Sequence, residues 1–184
     1  MPGRAHLNGR PVRPRRPARL RVGPAALLPT LVPTLVPALL LAGCTGAVEL
    51  RVPDLVGDDL AACTAFTADL PPSLAGEDPR EVDPPDALGA AYGDPAYVVR
   101  CGVPVPTDFD EAVSACEVAE GVGWYVAPEE FDDQDADVTL TAAGYRPVVS
   151  VTVPGDERPE GPAAAIAELA PVVDEHLVLV ENCD

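Results

Sequence analysis

Beyond residue 50 the apolar positions repeat with two different periods, and each change of period marks an element. Leu60, Cys63, Phe66, Thr67 and Leu70 follow helical spacing, which predicts a helix opening at Asp54 or Gly57 and stopped by Pro71-Pro72. A short strand over Val48 to Val52 precedes it. Pro71 to Leu88 is rich in proline and acid and reads as an exposed extended loop. Tyr97 to Val103 then reads as a strand carrying Cys101 and ended by Gly102 and Pro104. Ala115–Ala119 and Val122–Val126 flank Glu120-Gly121 as a hairpin, and Thr139–Ala142 and Val148–Val153 flank Ala143 to Arg146 in the same way. From Gly161-Pro162 onward, Ile166, Leu169, Ala170, Val173, Leu177 and Val180 return to helical period. Pro171 is expected to kink or divide that helix near Ala167, with Leu177 to Val180 as an alternative strand. The resulting expectation is an α+β fold: a small antiparallel sheet of four or five strands with an N-terminal and a C-terminal helix on one face.

Charge divides the 184-residue chain into two objects. All 12 basic residues are arginine, and seven of them precede Val22, whereas all 30 acidic residues lie at or beyond Glu49. From residue 44 onward the acids face only five arginines. Such a surface repels phosphate, so nucleic acid is excluded as a partner, as is electrostatic adhesion to anionic lipid. The absence of lysine excludes Schiff-base and P-loop lysine chemistry.

The basic segment leads into residues 22–48, which carry no charge, and Leu41-Ala42-Gly43-Cys44 sits inside that stretch. A basic region, an apolar region and small residues before a cysteine are the layout of an export signal, and the four residues resemble the bacterial lipobox. The resemblance implies cleavage after Gly43, a diacylglyceryl group on the Cys44 sulfur and a membrane partner held through that lipid. The expected organisation is a signal peptide over 1–43, a lipidated cysteine and tether over 44–53, and a single acidic domain over 54–184. The rival reading is a retained transmembrane helix, since 27 uncharged residues exceed the roughly 20 needed to span a bilayer. Pro24, Pro29, Pro33 and Pro37 oppose it, because each interior proline removes a helix hydrogen bond that a lone span cannot replace.

Setting Cys44 aside leaves Cys63, Cys101, Cys116 and Cys183, an even number that predicts two disulfides outside the cytoplasm. Three pairings are open. The sequential one, Cys63 with Cys101 and Cys116 with Cys183, is favoured because it ties down a cysteine that would otherwise sit on a free tail. No metal site is expected, since the cysteines form no close pairs and His176 is the one histidine beyond the leader.

Several motifs look familiar together: Ala91-Tyr92-Gly93-Asp94-Pro95, Val98-Val99-Arg100-Cys101-Gly102-Val103, Gly123-Trp124, and Val151-Thr152-Val153-Pro154 with Arg158-Pro159. They resemble the actinobacterial domain of unknown function 3515 family of exported, membrane-attached proteins. The resemblance runs from about Cys63 to about Pro159. It implies a cell-envelope location and supplies no catalytic residues or cofactors.

Ser73, Ser114, Ser150 and His176 form no recognisable hydrolase motif, and Ser150 alternates within a strand while His176 follows Asp174 and Glu175 on a helix. The acidic run Glu129, Glu130, Asp132, Asp133, Asp135, Asp137 invites calcium. Counted from Asp133, however, the EF-hand glycine position holds Val138 and the bidentate glutamate position holds Gly144, so a solvated acidic loop is the reading adopted. Trp124 and Tyr125 are neighbours in a strand, so one ring points inward and the other is a candidate binding platform. Arg100 precedes Cys101 and points to the face opposite that cysteine, where it can meet a carboxylate. The candidate binding surface is therefore Trp124, Tyr125 and Arg100, with no catalytic residue, cofactor or metal assigned. The expected protein is a lipid-anchored, non-enzymatic binding or assembly module on the extracytoplasmic face of the cell membrane, with an envelope protein or the cell wall as partner. The alternatives are a carboxylate-based envelope enzyme acting on peptidoglycan or a related glycan, and a ligand-binding lipoprotein serving a transporter.

Overall fold

The computed structural model describes residues 46–110, 114, 116–158 and 160–183; Cys44 and the leader lie outside them. In chain order the elements are β1 (Val48–Glu49), α1 (Gly57–Ala68), β2 (Pro79–Arg80), β3 (Val82–Asp83), β4 (Gly89–Tyr92), β5 (Tyr97–Cys101), β6 (Cys116–Ala119), β7 (Val122–Tyr125), α2 (Pro128–Asp132), β8 (Val138–Ala142), β9 (Tyr145–Arg146), β10 (Val149–Val153), α3 (Glu160–His176) and β11 (Val178–Leu179). A 3-10 turn over Gly155–Glu157 connects β10 to α3. The fold is mixed helix and sheet, as the periodicity implies.

Seven strands form one antiparallel sheet in the order β2-β4-β5-β10-β8-β7-β6. β1 pairs with β3 in parallel, and β11 pairs with β9 antiparallel. The expected four or five strands are thus too few. β4 escapes periodicity because Gly89-Ala90-Ala91-Tyr92 has no β-branched residue; its strand conformation comes from pairing with β5, a tertiary effect that propensity does not contain. β2, β3, β9 and β11 are two residues each, too short to show alternation. The strand expected over Val48 to Val52 shrinks to Val48–Glu49. The Pro71–Leu88 stretch is more ordered than an exposed loop, holding β2, β3 and a fully buried Leu74.

Alternation within the long strands builds the core. Tyr97, Val99 and Cys101 of β5, Val149, Val151 and Val153 of β10, and Val138, Leu140 and Ala142 of β8 all turn to one face. There they meet Cys63 and Phe66 of α1 and Ile166, Leu169, Ala170 and Val173 of α3, so both long helices cover the same side of the sheet. α3 runs unbroken through Pro171, contrary to the expected division. An interior proline costs about 3 kcal/mol, and buried Leu169, Ala170 and Val173 on either side of it offset that at about 1.5–3 kcal/mol for each large side chain. β11 follows directly, so the helix and the alternative strand both exist in sequence. The β6–β7 hairpin turns on Glu120 and Gly121, both at positive φ, the two-residue geometry that matches strand twist.

Two disulfides fasten this layout, and they are the sequential pair. Cys63–Cys101 joins α1 to β5 across 5.5 Å between Cα atoms, and Cys116–Cys183 joins β6 to the C-terminal tail across 5.7 Å. Among the described residues no helix is long and apolar enough to cross a membrane.

Candidate functional site

The opposite face of the sheet is where the chemistry-bearing residues gather. Strand register places Gly89 of β4, Arg100 of β5, Ser150 of β10, Thr141 of β8 and Tyr125 of β7 side by side in a single row. The next row holds Val98, Thr152 and Thr139. Each of these residues alternates with a core valine, leucine or alanine, so the same pattern that makes the helix-covered face apolar makes this one polar at its centre. Ser150 and Thr141 are almost wholly buried, at 5% and 4% exposure.

Loops rather than helices cover this face. At one end Leu50 packs with Ala87 and Val98, and the backbone N–H of Leu50 donates to the Asp83 carbonyl at 2.9 Å. At the other end Tyr125 stacks edge-on against Phe109, with ring centroids 5.4 Å apart, and its hydroxyl donates to Asp108 at 2.5 Å. Burial first and Asp108 second push the Tyr125 pKa up to about 12. Between the chain after β1 and the end of β5 lies a cleft of about 1030 Å³, lined among others by Glu49, Arg51, Asp54, Asp83 and Arg100. Gly102, at φ +81°, closes one wall: a Cβ there would run into Leu55 and Pro53, so glycine lets the Pro53–Leu55 segment approach the end of β5.

Arg100 differs from the three other half-buried arginines of the described chain, whereas the fifth, Arg51, is exposed. Arg80 donates to the Gly93 and Gly46 carbonyls and pairs with Asp94. Arg146 donates to the Ala143 and Tyr145 carbonyls and pairs with Glu181. Arg158 donates to the carbonyls of Glu130, Asp133 and Ala136, pinning the acidic segment that follows α2. Arg100 reaches only the Thr152 hydroxyl, at 3.4 Å, and pairs with no carboxylate among the described residues. Burial pulls its pKa down, the mark of a cation held partly out of water. The carboxylate partner that its position suggested is therefore not supplied by the described chain.

The remaining candidates are dispersed. Trp124 is fully buried on the helix side, and Tyr125 is 4% exposed under Phe109, so neither ring is an open platform and Arg100 alone of that trio lines a cleft. His176 lies 2.8 Å from Asp69 and links the end of α3 to the end of α1. It belongs to a helix on the side of the sheet that Ser150 turns away from. Among the described residues no group of His, Cys, Asp and Glu is arranged to hold a metal ion. Cys44 lies outside the described residues. Periodicity does not expose the cleft rim, because Glu49 and Arg51 read as tether and short strand and Asp54 as a helix start; the available signal is Arg51, one of only five arginines beyond the leader.

No curated protein and no solved structure matches the chain. A family model described as protein of unknown function (DUF3515) matches residues 30–181. With a match over most of its length, the chain belongs to the DUF3515 family.

Proposed function

We propose that this protein is exported, anchored outside the cytoplasmic membrane by a lipid on Cys44, and works there as a binding module that receives its ligand in the Arg100 cleft. The observation that carries the binding reading is Arg100 itself. It is a partly desolvated guanidinium with no carboxylate partner among the described residues, although 30 acids face only five arginines from residue 44 onward. A guanidinium offers five N–H donors, and here a single long hydrogen bond engages one of them, leaving the fork open to an incoming anionic group. Export is supported by the two disulfides, which persist in oxidising compartments, and by the lipobox-like residues ending at Cys44.

Intact-mass spectrometry of the membrane fraction tests the anchor: a chain beginning at Cys44 and carrying a diacylglyceryl group is expected, and an uncleaved chain would overturn it. Titration with acetate, followed by NMR, tests the cleft. Saturable shifts at Leu50 to Asp54 and Gly102 to Pro104 are expected, and lost in Arg100→Gln. Shifts absent from the wild-type chain, or equal in the variant, would overturn the binding reading.

A further inference from the structure

We infer that the ligand of the Arg100 cleft is zwitterionic, a short peptide with a free carboxylate and a free ammonium group; this rests on the binding reading above and names its ligand class. The juxtaposition that points to it is five formal charges of both signs around one cleft with no ion pair among them. Arg100 and Arg51 are the cations, and Glu49, Asp54 and Asp83 the anions. None of the five takes part in a salt bridge among the described residues. Exposed charges at a rim often stay unpaired because surface pairs are worth little. Arg100 is not of that kind: it is half-buried, it sits in the central row of the sheet, and its desolvation is not offset by any carboxylate of the described chain.

A ligand with a negative and a positive end satisfies both sets at once. The carboxylate takes the Arg100 fork, and the ammonium lies among the rim carboxylates. A doubly charged phosphate meets the same guanidinium but also the repulsion of three nearby acids and of a chain with net charge −18. A monoanion carrying its own cation avoids both. Size separates a peptide from a single amino acid. The cleft, at about 1030 Å³, is at the upper end of the range of roughly 300–1,000 Å³ that holds drug-sized ligands. One amino acid would leave most of it filled with water.

Calorimetry on the full-length chain in detergent, with four probes, tests this: trialanine, N-acetyl-trialanine, trialanine amide and alanine. Trialanine is expected to bind, and blocking either end is expected to weaken it about tenfold or more, the scale of a charge-assisted hydrogen bond. Alanine is expected to bind more weakly than trialanine. In Arg100→Gln the free and amidated peptides should become equal, while in Asp54→Asn/Asp83→Asn the free and acetylated peptides should converge. Because the blocked peptides change the ligand and leave the protein intact, the result does not depend on any variant folding. If the acetylated peptide binds as well as the free one, or if acetate binds through Arg100 and trialanine does not, the zwitterion is overturned and the anion-binding cleft stands. If neither the peptides nor acetate binds, the cleft reading falls with it.

Discussion

Val149, Val151 and Val153 of β10 disappear beneath α1 and α3, whereas Ser150 and Thr152, one residue along the same strand, turn to a face covered only by loops. The first face is closed by helices whose apolar stripes match it, and its largest side chain, Trp124, is fully buried there. The second is roofed by the chain after β1 and by the Phe109 loop, which meet the sheet at its two ends. One side of the sheet therefore carries the hydrophobic free energy of the fold. The other retains hydroxyls, a lone guanidinium and a cleft. Loops cannot exclude water as helices do, and that lessens the desolvation borne by a half-buried arginine without a carboxylate.

Truncating the helix-covered side should have the largest effect. Trp124→Ala is expected to lower unfolding stability by about 3–5 kcal/mol, since it removes a fully buried indole and leaves a cavity beneath α3. Chemical denaturation checks this, and a loss below about 1 kcal/mol would mean that the two faces do not differ as described. Next in size is the covalent tie between helix and sheet. Replacing both Cys63 and Cys101 by serine should cost about 2–5 kcal/mol, read from the same denaturation curves without reductant.

The difference between the faces also governs what the sequence made readable. Three-to-four-residue spacing announced α1 and α3, and two-residue alternation announced β5, β8 and β10, because a surface that must meet a helix has to repeat its apolar residues. The Cys63–Cys101 and Cys116–Cys183 pairs follow from chain order and from the need to tie down the last cysteine. β4 stayed hidden since Gly89, Ala90 and Ala91 carry almost no apolar signal and adopt a strand only beside β5. The cleft stayed hidden for a related reason: Glu49, Arg51 and Asp54 come from a segment of no regular period, and their neighbours in space, Asp83 and Arg100, lie tens of residues away. Trp124 misled as a candidate platform. An isolated tryptophan next to a tyrosine reveals that the two rings face opposite ways, but not that Phe109 and Asp108 occupy the outer one.

Arg100 tests the second face in the opposite sense to Trp124. A half-buried cation without a carboxylate costs desolvation, so Arg100→Met should raise stability by about 1 kcal/mol while abolishing the response to acetate. A destabilised variant would mean that the guanidinium holds the fold together, as those of Arg80, Arg146 and Arg158 do. At the other end of the same face, Tyr125 gives a pH signature. Its folded-state pKa is pushed up to about 12, above the unfolded value near 10. The neutral phenol is thus favoured by folding, and its contribution is fully present below about pH 10 and lost as pH rises toward 12. Thermal melts between pH 9 and 12 should therefore fall less steeply for Tyr125→Phe than for the wild-type chain.

The smallest effect expected is that of Ser150→Ala, and it is read against an adjacent residue of β10. Val151→Ala should cost about 2 kcal/mol, from lost burial and the space left under the helices. Ser150→Ala, at similar burial and in the same strand, should change stability by no more than about 0.5 kcal/mol. The Ser150 hydroxyl makes no side-chain hydrogen bond with the described residues, so its removal orphans no partner. Paired denaturation curves of the two variants decide the matter. If Ser150→Ala proves as costly as Val151→Ala, the hydroxyl is held by something the loop roof supplies, and the second face is as fully packed as the first.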